Sequence, residues 1–212
     1  MDQGRGREAL GVSVRSGLPE GGHGTTAWRI DRWDAEQTAW VRQRGGLVAP
    51  QGVDFARLGV RPYKVSEHLG NVITTAGWTR MLNLLIGAGG QIFDAAHTRI
   101  GAGNGTTSAG GGSVPAVAAD TDLAAAAGSG NRWFQLAAGI GVVGGTVPKT
   151  LTITATFASA DGNFAWNEFG IDQGTASGNT VTATLLNHAT SIAQGTKVAG
   201  QTWTATAVLS FT

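Results

Sequence analysis

Four histidines are the first residues of this sequence that could hold a metal ion or act as acids and bases. They are His23, His68, His97 and His188. Histidines that share a metal ion usually stand about three to five residues apart, because they reach the ion from one turn or one loop. No two of the four stand that close, so we predict a structural role for each of them and no histidine metal site.

Three carboxylates, Asp161, Glu168 and Asp172, lie close together in the sequence. Carboxylate oxygens are the ligands that calcium prefers, but a dedicated calcium loop supplies them at alternate positions along the chain. These three are not spaced in that way. Calcium binding at Asp161, Glu168 or Asp172 is therefore the alternative to a purely structural role.

Glu168 stands out among these carboxylates because it lies between Trp166 and Phe169. A carboxylate in such apolar surroundings is costly to bury without a partner. We therefore predict that Glu168 makes a structural ion pair, with Arg99 or Arg132 as the candidate partners, and that it does not serve as a catalytic acid.

The glycine-rich segment 101–107 (GAGNGTT) has a composition that also occurs in phosphate-binding loops. It lacks both the GxGxxG spacing and the Gly-Lys-Ser/Thr ending of those loops, and no βαβ pattern surrounds it. A polar loop over residues 101–113 fits better. With nucleophiles, acids and bases few and scattered, we predict no catalytic residue, no cofactor site and no enzyme.

Composition narrows the class of protein further. The 212 residues include 34 glycines and no cysteine, only 14% are charged, and the formal net charge is +1. So small a net charge argues against nucleic acid as a partner, and the absence of cysteine excludes disulfides and thiolate metal sites. The sequence shows neither a secretory signal nor an apolar run long enough to cross a membrane, so we predict no membrane association.

The elements that would position these residues are mostly strands. Small apolar and aromatic residues alternate with threonines over 150–159 and again over 202–211, which is the period of a half-buried strand. Turns at Asp161-Gly162 and Gly178-Asn179 separate further segments over 163–171 and 180–187. The pattern predicts a mainly β protein, either an antiparallel β-sandwich or a small barrel, with one or two short helices.

The strongest helix pattern lies near residues 72–86. Ile73, Gly77, Met81 and Leu84 would share one helical face, and other apolar residues lie beside them. We predict that Asn71 caps the start, that Gly87 ends the helix, and that this two-sided apolar helix packs under a sheet.

Residues 1–68 differ from the rest because they hold 10 Lys or Arg and 8 Asp or Glu, whereas residues 69–212 hold 5 and 6. Glycine pairs interrupt every period, so we predict an extended N-terminal arm over 1–68 and a β-rich domain over 69–212. The arm nevertheless contains large aromatic side chains that need to be covered. We predict that these make inter-subunit contacts: Trp28, Trp33, Trp40, Phe55 and Tyr63.

Six segments, spread in order over roughly residues 54–212, resemble a widespread group of structural proteins from tailed-bacteriophage particles. They are GNVITTAG (70–77), TRIGAGNGT (98–106), DTDL (120–123), NFAWNEFGI (163–171), LLNH (185–188) and GTKVAGQTW (195–203). Members of that group carry a basic residue after the LLN motif, whereas this chain has His188. The resemblance implies a virion protein without enzymatic activity, assembled in the host cytoplasm.

The resemblance leaves the place in the particle open. The reach of an extended arm favours an outer capsid decoration or cement protein that braces capsid subunits. A tail, collar or baseplate component is the first alternative, and a host-receptor or carbohydrate-binding module, suggested by seven tryptophans, is the second. The expected partners are the major capsid protein or other virion subunits, together with further copies of the chain, with a trimer favoured.

Overall fold

The protein folds as two antiparallel five-stranded sheets packed face to face, with three helices outside them. The structure is a computed structural model and describes residues 24–105, 111–143, 150–181 and 184–211. The first sheet runs in the order β2 (Lys64–Leu69), β1 (Gly24–Trp33), β10 (Thr202–Phe211), β7 (Thr150–Phe157), β6 (Gly139–Val143). The second runs β3 (Val72–Ile73), β9 (Asn187–Thr190), β8 (Glu168–Gln173), β4 (Thr98–Gly103), β5 (Arg132–Leu136). The prediction of a mainly β sandwich is confirmed, and the sheets do not close into a barrel.

The core between the sheets is built around aromatic side chains. Trp166 is fully buried and meets Phe157 and Trp203 edge to face, with ring centroids 4.6 Å and 4.9 Å apart. Trp28 of β1 stacks on Phe169 of β8 at 4.9 Å, which joins the two sheets directly. Such aromatic pairs add stability beyond the area that they bury.

The alternation predicted for the two threonine-rich strands is confirmed. Ile153, Ala155 and Phe157 of β7 point into the core, and the inward residues of β10 are just as deeply buried. These are Trp203, Ala205, Ala207 and Leu209, each at most 2% exposed. On the outer face, threonines of the two strands pair, as in the contact of 3.0 Å between the Thr156 and Thr204 hydroxyls.

The N-terminal third departs from the predicted extended arm. β1 lies between β2 and β10 and pairs with β10 along its whole length, so residues 24–33 form an inner strand of the sandwich. The predicted boundary at residue 68 therefore does not separate the described residues into an arm and a domain. The part of the arm prediction that concerns residues 1–23 lies outside the described residues.

Two further helices follow β1 and close a small second core. Asp34 caps helix α1 (Ala35–Gly45) by accepting from Gln37 N, and helix α2 (Gly52–Arg57) comes next. Trp33 stacks on Phe55 at 4.3 Å, and Val41 completes this cluster. Trp33 and Phe55 thus find partners inside their own chain.

Helix α3 (Thr75–Leu85) forms where the sequence predicts a helix, but it begins later. Thr74 is its N-cap and accepts from Gly77 N, whereas Asn71 accepts from Thr26 N of β1. Gly77 lies so close to the chain before β9 that a Cβ there would overlap the Leu186 carbonyl oxygen. This close approach fixes α3 against the edge of the second sheet.

Two segments differ from the predicted strand and loop boundaries. Residues 101–103, predicted as part of a loop, belong to the fully buried strand β4. The chain after Asp161-Gly162 does not return along β7 but crosses to β8 in the opposite sheet. Within the described ranges, no helix is both long and apolar enough to span a membrane.

Candidate functional site

The most concentrated chemistry in the protein is a buried network around Glu168. Both carboxylate oxygens are fully engaged: Oε1 accepts from the amides of Gly105 (3.1 Å) and Ala125 (2.9 Å), and Oε2 accepts from the amide of Ala124 (2.7 Å). His188 Nε2 lies 2.9 Å from the same Oε2. A carboxylate with four partners is satisfied where it lies and is not free to take a proton from a substrate.

The network continues from His188 to Asp120. His188 Nδ1 lies 2.7 Å from Asp120 Oδ2, and the Asp120 carboxylate also accepts from the amides of Ser113 and Val117. Asp120 thus ties down an irregular loop. Glu168 and His188 are 0% exposed and Asp120 is 2% exposed, so the chain Asp120–His188–Glu168 is closed to solvent.

Burial on one side, and hydrogen bonds and neighbouring charges on the other, have opposite effects on the pKa of His188. Burial alone would lower its pKa, but the hydrogen bonds and negative charges of Glu168 and Asp120 raise the pKa above the ordinary histidine value. The hydrogen bonds and negative charges of the two carboxylates therefore favour the protonated form of His188.

A pH titration of stability tests this description of His188. The contribution of protonated His188 to the free energy of unfolding is complete below the ordinary histidine pKa of 6.5. It is lost as the pH rises through the raised pKa that His188 has in the folded protein. We expect the free energy of unfolding to fall as the pH rises above 6.5 and passes through the raised pKa, and to fall less in His188→Gln. Urea denaturation at several pH values measures both slopes, and equal slopes would refute the charged histidine.

Two arginines that were candidate partners of Glu168 bind other carboxylates. Arg99 forms a two-pronged ion pair with Asp172, with contacts of 2.8 Å and 2.6 Å, and Arg132 pairs with Asp122 at 2.9 Å. The prediction of a structural role for Glu168 agrees with its contacts, but both proposed partners were wrong. Burial raises the pKa of Asp172 to about 6, against the opposing effect of Arg99.

The three carboxylates considered for calcium do not meet. Glu168 and Asp172 are fully buried with the separate partners described above, and Asp161 lies in the turn after β7. Across the described ranges, no three histidine, aspartate or glutamate side chains are gathered so that they could hold a metal ion. The geometry therefore does not support calcium binding by this set.

Lys197 is a further buried charge, and no local sequence pattern indicates its burial. Its side chain is 0% exposed, and Nζ donates to the Ala158 carbonyl at 2.8 Å and to Asn163 Oδ1 at 2.9 Å. Burial lowers its pKa to about 8. These contacts hold the turn that carries the chain from one sheet to the other.

The five aromatic residues predicted to contact other subunits fall into two groups. Trp28, Trp33 and Phe55 are at most 5% exposed, because β1 and α2 pack them into the two cores. An intermolecular role for these three is thereby corrected to an intramolecular one. Trp40 and Tyr63 are each 48% exposed and stay candidates for contacts between subunits.

Three of the exposed large apolar side chains lie together at the C-terminal end of α3. Leu82, Leu85 and Ile86 are 57%, 81% and 77% exposed, and their spacing places them on one side of the helix. We call these three residues the α3 stripe. The sequence predicted an apolar helix packed under a sheet, but only the Gly77 and Met81 side packs inward, and the α3 stripe faces outward.

A groove of about 790 Å³ with a mixed polar and apolar lining runs over the outer face of the first sheet. Arg29 and Asp31 of β1, ion-paired at 2.8 Å, line it together with Gln51 and the threonines of β7 and β10. Trp33 borders the groove but is only 5% exposed. The groove therefore offers hydrogen-bonding groups without an exposed tryptophan ring.

No family model, no curated protein sequence and no solved structure matches this chain. Its function is therefore inferred from its own residues and from the resemblance of its sequence motifs.

Proposed function

We propose that this protein is a non-enzymatic structural subunit of a bacteriophage particle, placed on the outside of the capsid as a decoration or cement protein. Its partners would be the major capsid protein or other virion subunits, together with further copies of itself. The observation that carries the proposal is the α3 stripe, whose three apolar side chains are each more than half exposed. A surface of this kind marks a site where another molecule is bound.

The buried charges support a structural role rather than a reaction. Glu168, His188 and Asp172 are all 0% exposed, and each is engaged with groups of its own chain. A catalytic group has to reach its substrate, but these groups hold loops and strands in place. The described part of the chain thus uses these buried titratable groups for rigidity.

The phage assignment comes from the sequence motifs, and the structure gives several of them a structural purpose. NFAWNEFGI supplies Trp166 and Phe169 of the core and Glu168 of the network, while LLNH supplies His188. DTDL supplies Asp120 and Asp122, which bind His188 and Arg132. The resemblance therefore rests on residues that build one scaffold.

The outer capsid is favoured because a three-residue stripe covers little area. A single contact of that size binds weakly, whereas a repeating lattice lets many copies attach to it and to each other. Quantitative mass spectrometry of purified particles tests the location. Hundreds of copies per particle would support the capsid, a handful would place the protein in the tail, collar or baseplate, and none would refute the virion role.

A change within the α3 stripe tests the attachment surface. Leu85→Lys places a charge on an 81% exposed position, so we expect normal folding but about tenfold or more weaker incorporation into particles, as for a binding hot spot. Val48→Lys, at an 88% exposed position after α1, is the matched control. Equal incorporation of both variants would contradict the proposed attachment through α3.

The groove beside Arg29 and Asp31 favours one second candidate, a host-receptor or carbohydrate-binding module. Charged and hydroxyl groups lining an open groove suit the many hydroxyls of a glycan. Binding of the purified protein to a glycan array, lost in Asp31→Ala, would support that function. Absence of binding to any glycan or host cell would remove it.

A further inference from the structure

Strand β6 forms the outer edge of the first sheet. It pairs with β7 on one side, and among the described residues no strand pairs with its other side. An exposed strand edge presents unpaired amides and carbonyls that fit another extended chain. The free edge of β6 is therefore suited to pairing with another β-strand.

The β6 edge lacks the features that usually protect such an edge. Gly139–Val143 has the sequence GIGVV, with no charge and no proline, and the uncharged stretch extends over residues 133–148. Natural edges are commonly blocked by charged side chains, by proline or by covering segments. The β6 edge is thus left open to pairing.

The remaining edges of the two sheets differ from β6. β2, at the opposite edge of the same sheet, carries Lys64, Glu67 and His68. In the second sheet, β5 is covered because Phe134 exchanges two backbone hydrogen bonds of 2.9 Å with Gly178, and β3 is only two residues long. β6 alone among the described edges is both long enough and unprotected.

The two faces of β6 leave room for a further strand. Ile140 lies opposite Ile153 and packs partly on the core, and Val142, on the same face, is 73% exposed. On the other face, a Cβ at Gly139 or Gly141 would meet no atom within 4 Å. The core is therefore incompletely covered at this edge, and nothing described obstructs it.

We propose that β6 pairs edge to edge with β6 of a second copy of this chain, antiparallel and with the two-fold axis at Gly141. The strand is complementary to itself in this register, because Gly141 faces Gly141 and Ile140 faces Val142 of the other copy. Branched residues placed opposite each other stabilise an antiparallel pair, and the absence of charge removes any like-charge repulsion. The first sheets of the two copies then form one continuous sheet of ten strands, and the core continues across the two-fold axis.

The pairing is weak in dilute solution and is favoured at the high local concentration of an assembled particle. Five residues at about 3.4 Å each give a contact only about 17 Å long, well below a standard protein interface. The proposed pairing joins two copies about a two-fold axis, whereas the sequence favours a trimer. The inference concerns the isolated protein and does not depend on the proposed virion role.

Cysteine crosslinking tests the pairing, because the natural chain contains no cysteine. Gly141→Cys places its thiol opposite the same residue of the second copy, at a distance that a disulfide spans. Because a disulfide traps a pair that forms only transiently, we expect mild oxidation of the concentrated purified protein to accumulate crosslinked dimer. Val48→Cys, exposed in a loop, should give little; equal crosslinking of the two variants would overturn the proposal.

A second substitution tests the proposed register of the β6–β6 pair. Val142→Lys, added to Gly141→Cys, puts a charge where each copy meets the Ile140 side chain of the other, so the dimer should fall at least about tenfold. Val48→Lys added to Gly141→Cys should leave the dimer unchanged. Crosslinking that survives Val142→Lys in a protein with unchanged circular dichroism would contradict this pairing.

Discussion

Glu168→Gln is expected to lower the free energy of unfolding by about 3–5 kcal/mol, although it replaces a single oxygen by nitrogen. Both oxygens of Glu168 accept hydrogen bonds: Oε1 from Gly105 N and Ala125 N, and Oε2 from Ala124 N and His188 Nε2. Whichever oxygen is replaced, the amide nitrogen of glutamine would point donors at donors. His188 would also lose a counter-charge in a site with no access to water.

Glu67→Gln is the matched control for this substitution. Glu67 lies on β2 with a 73% exposed side chain and a loose contact of 3.7 Å with Arg29, so its loss should change little. Chemical denaturation of both variants measures the difference. A loss below about 1 kcal/mol in Glu168→Gln would mean that the network does not hold the loops as described.

Trp203→Ala should destabilise the protein by about 3–5 kcal/mol, as the removal of a large core side chain does. Trp203 is 2% exposed, meets Trp166 edge to face at 4.9 Å and lies 4.5 Å below the guanidinium carbon of Arg32. The substitution therefore leaves a cavity and also removes the ring beneath a buried arginine. Thermal or urea unfolding provides the value.

Trp40→Ala is the corresponding control, since Trp40 is 48% exposed on α1. We expect it to leave the free energy of unfolding within about 1 kcal/mol of wild type. If both tryptophan variants were equally stable, Trp203 would not be part of the core that joins the sheets.

Local patterns in the sequence were sufficient to predict the strands in which apolar and polar residues alternate regularly. β7 and β10 place small apolar residues inward and threonines outward, so their period of two is visible without knowledge of the partner strand. β1 follows the same period with Trp28, Ile30 and Arg32 inward. Its buried arginine and its flanking glycines obscured the pattern, and its pairing with β10 joins residues near opposite ends of the chain.

The buried network could be predicted only in part for a similar reason. Glu168 was identifiable because aromatic residues flank it, but its partner His188 lies 20 positions away and Asp120 lies 68 positions from His188. A sequence position does not reveal which side chains a loop brings into contact. Arg99 and Arg132 were reasonable candidates on charge alone. Strand register instead places Asp172 opposite Arg99, and the irregular segment before β5 brings Asp122 to Arg132.

The prediction that large aromatic residues near the N-terminus lie between subunits failed for Trp28, Trp33 and Phe55 because these residues are core residues of the same chain. Trp40 and Tyr63 stay candidates, and the two surfaces proposed for attachment, the α3 stripe and the β6 edge, lie elsewhere. Neither contains an aromatic residue, so a search for exposed tryptophans would not find them.

If the proposed virion role is correct, a cryo-electron microscopy reconstruction of the particle tests the central proposal most directly, namely that this chain is a sandwich that works by attachment to neighbouring subunits. The account predicts density for the sandwich on the outer capsid surface, with Leu82, Leu85 and Ile86 in contact with another protein subunit. A particle that lacks this density, or one in which the α3 stripe of every copy faces solvent, would contradict it.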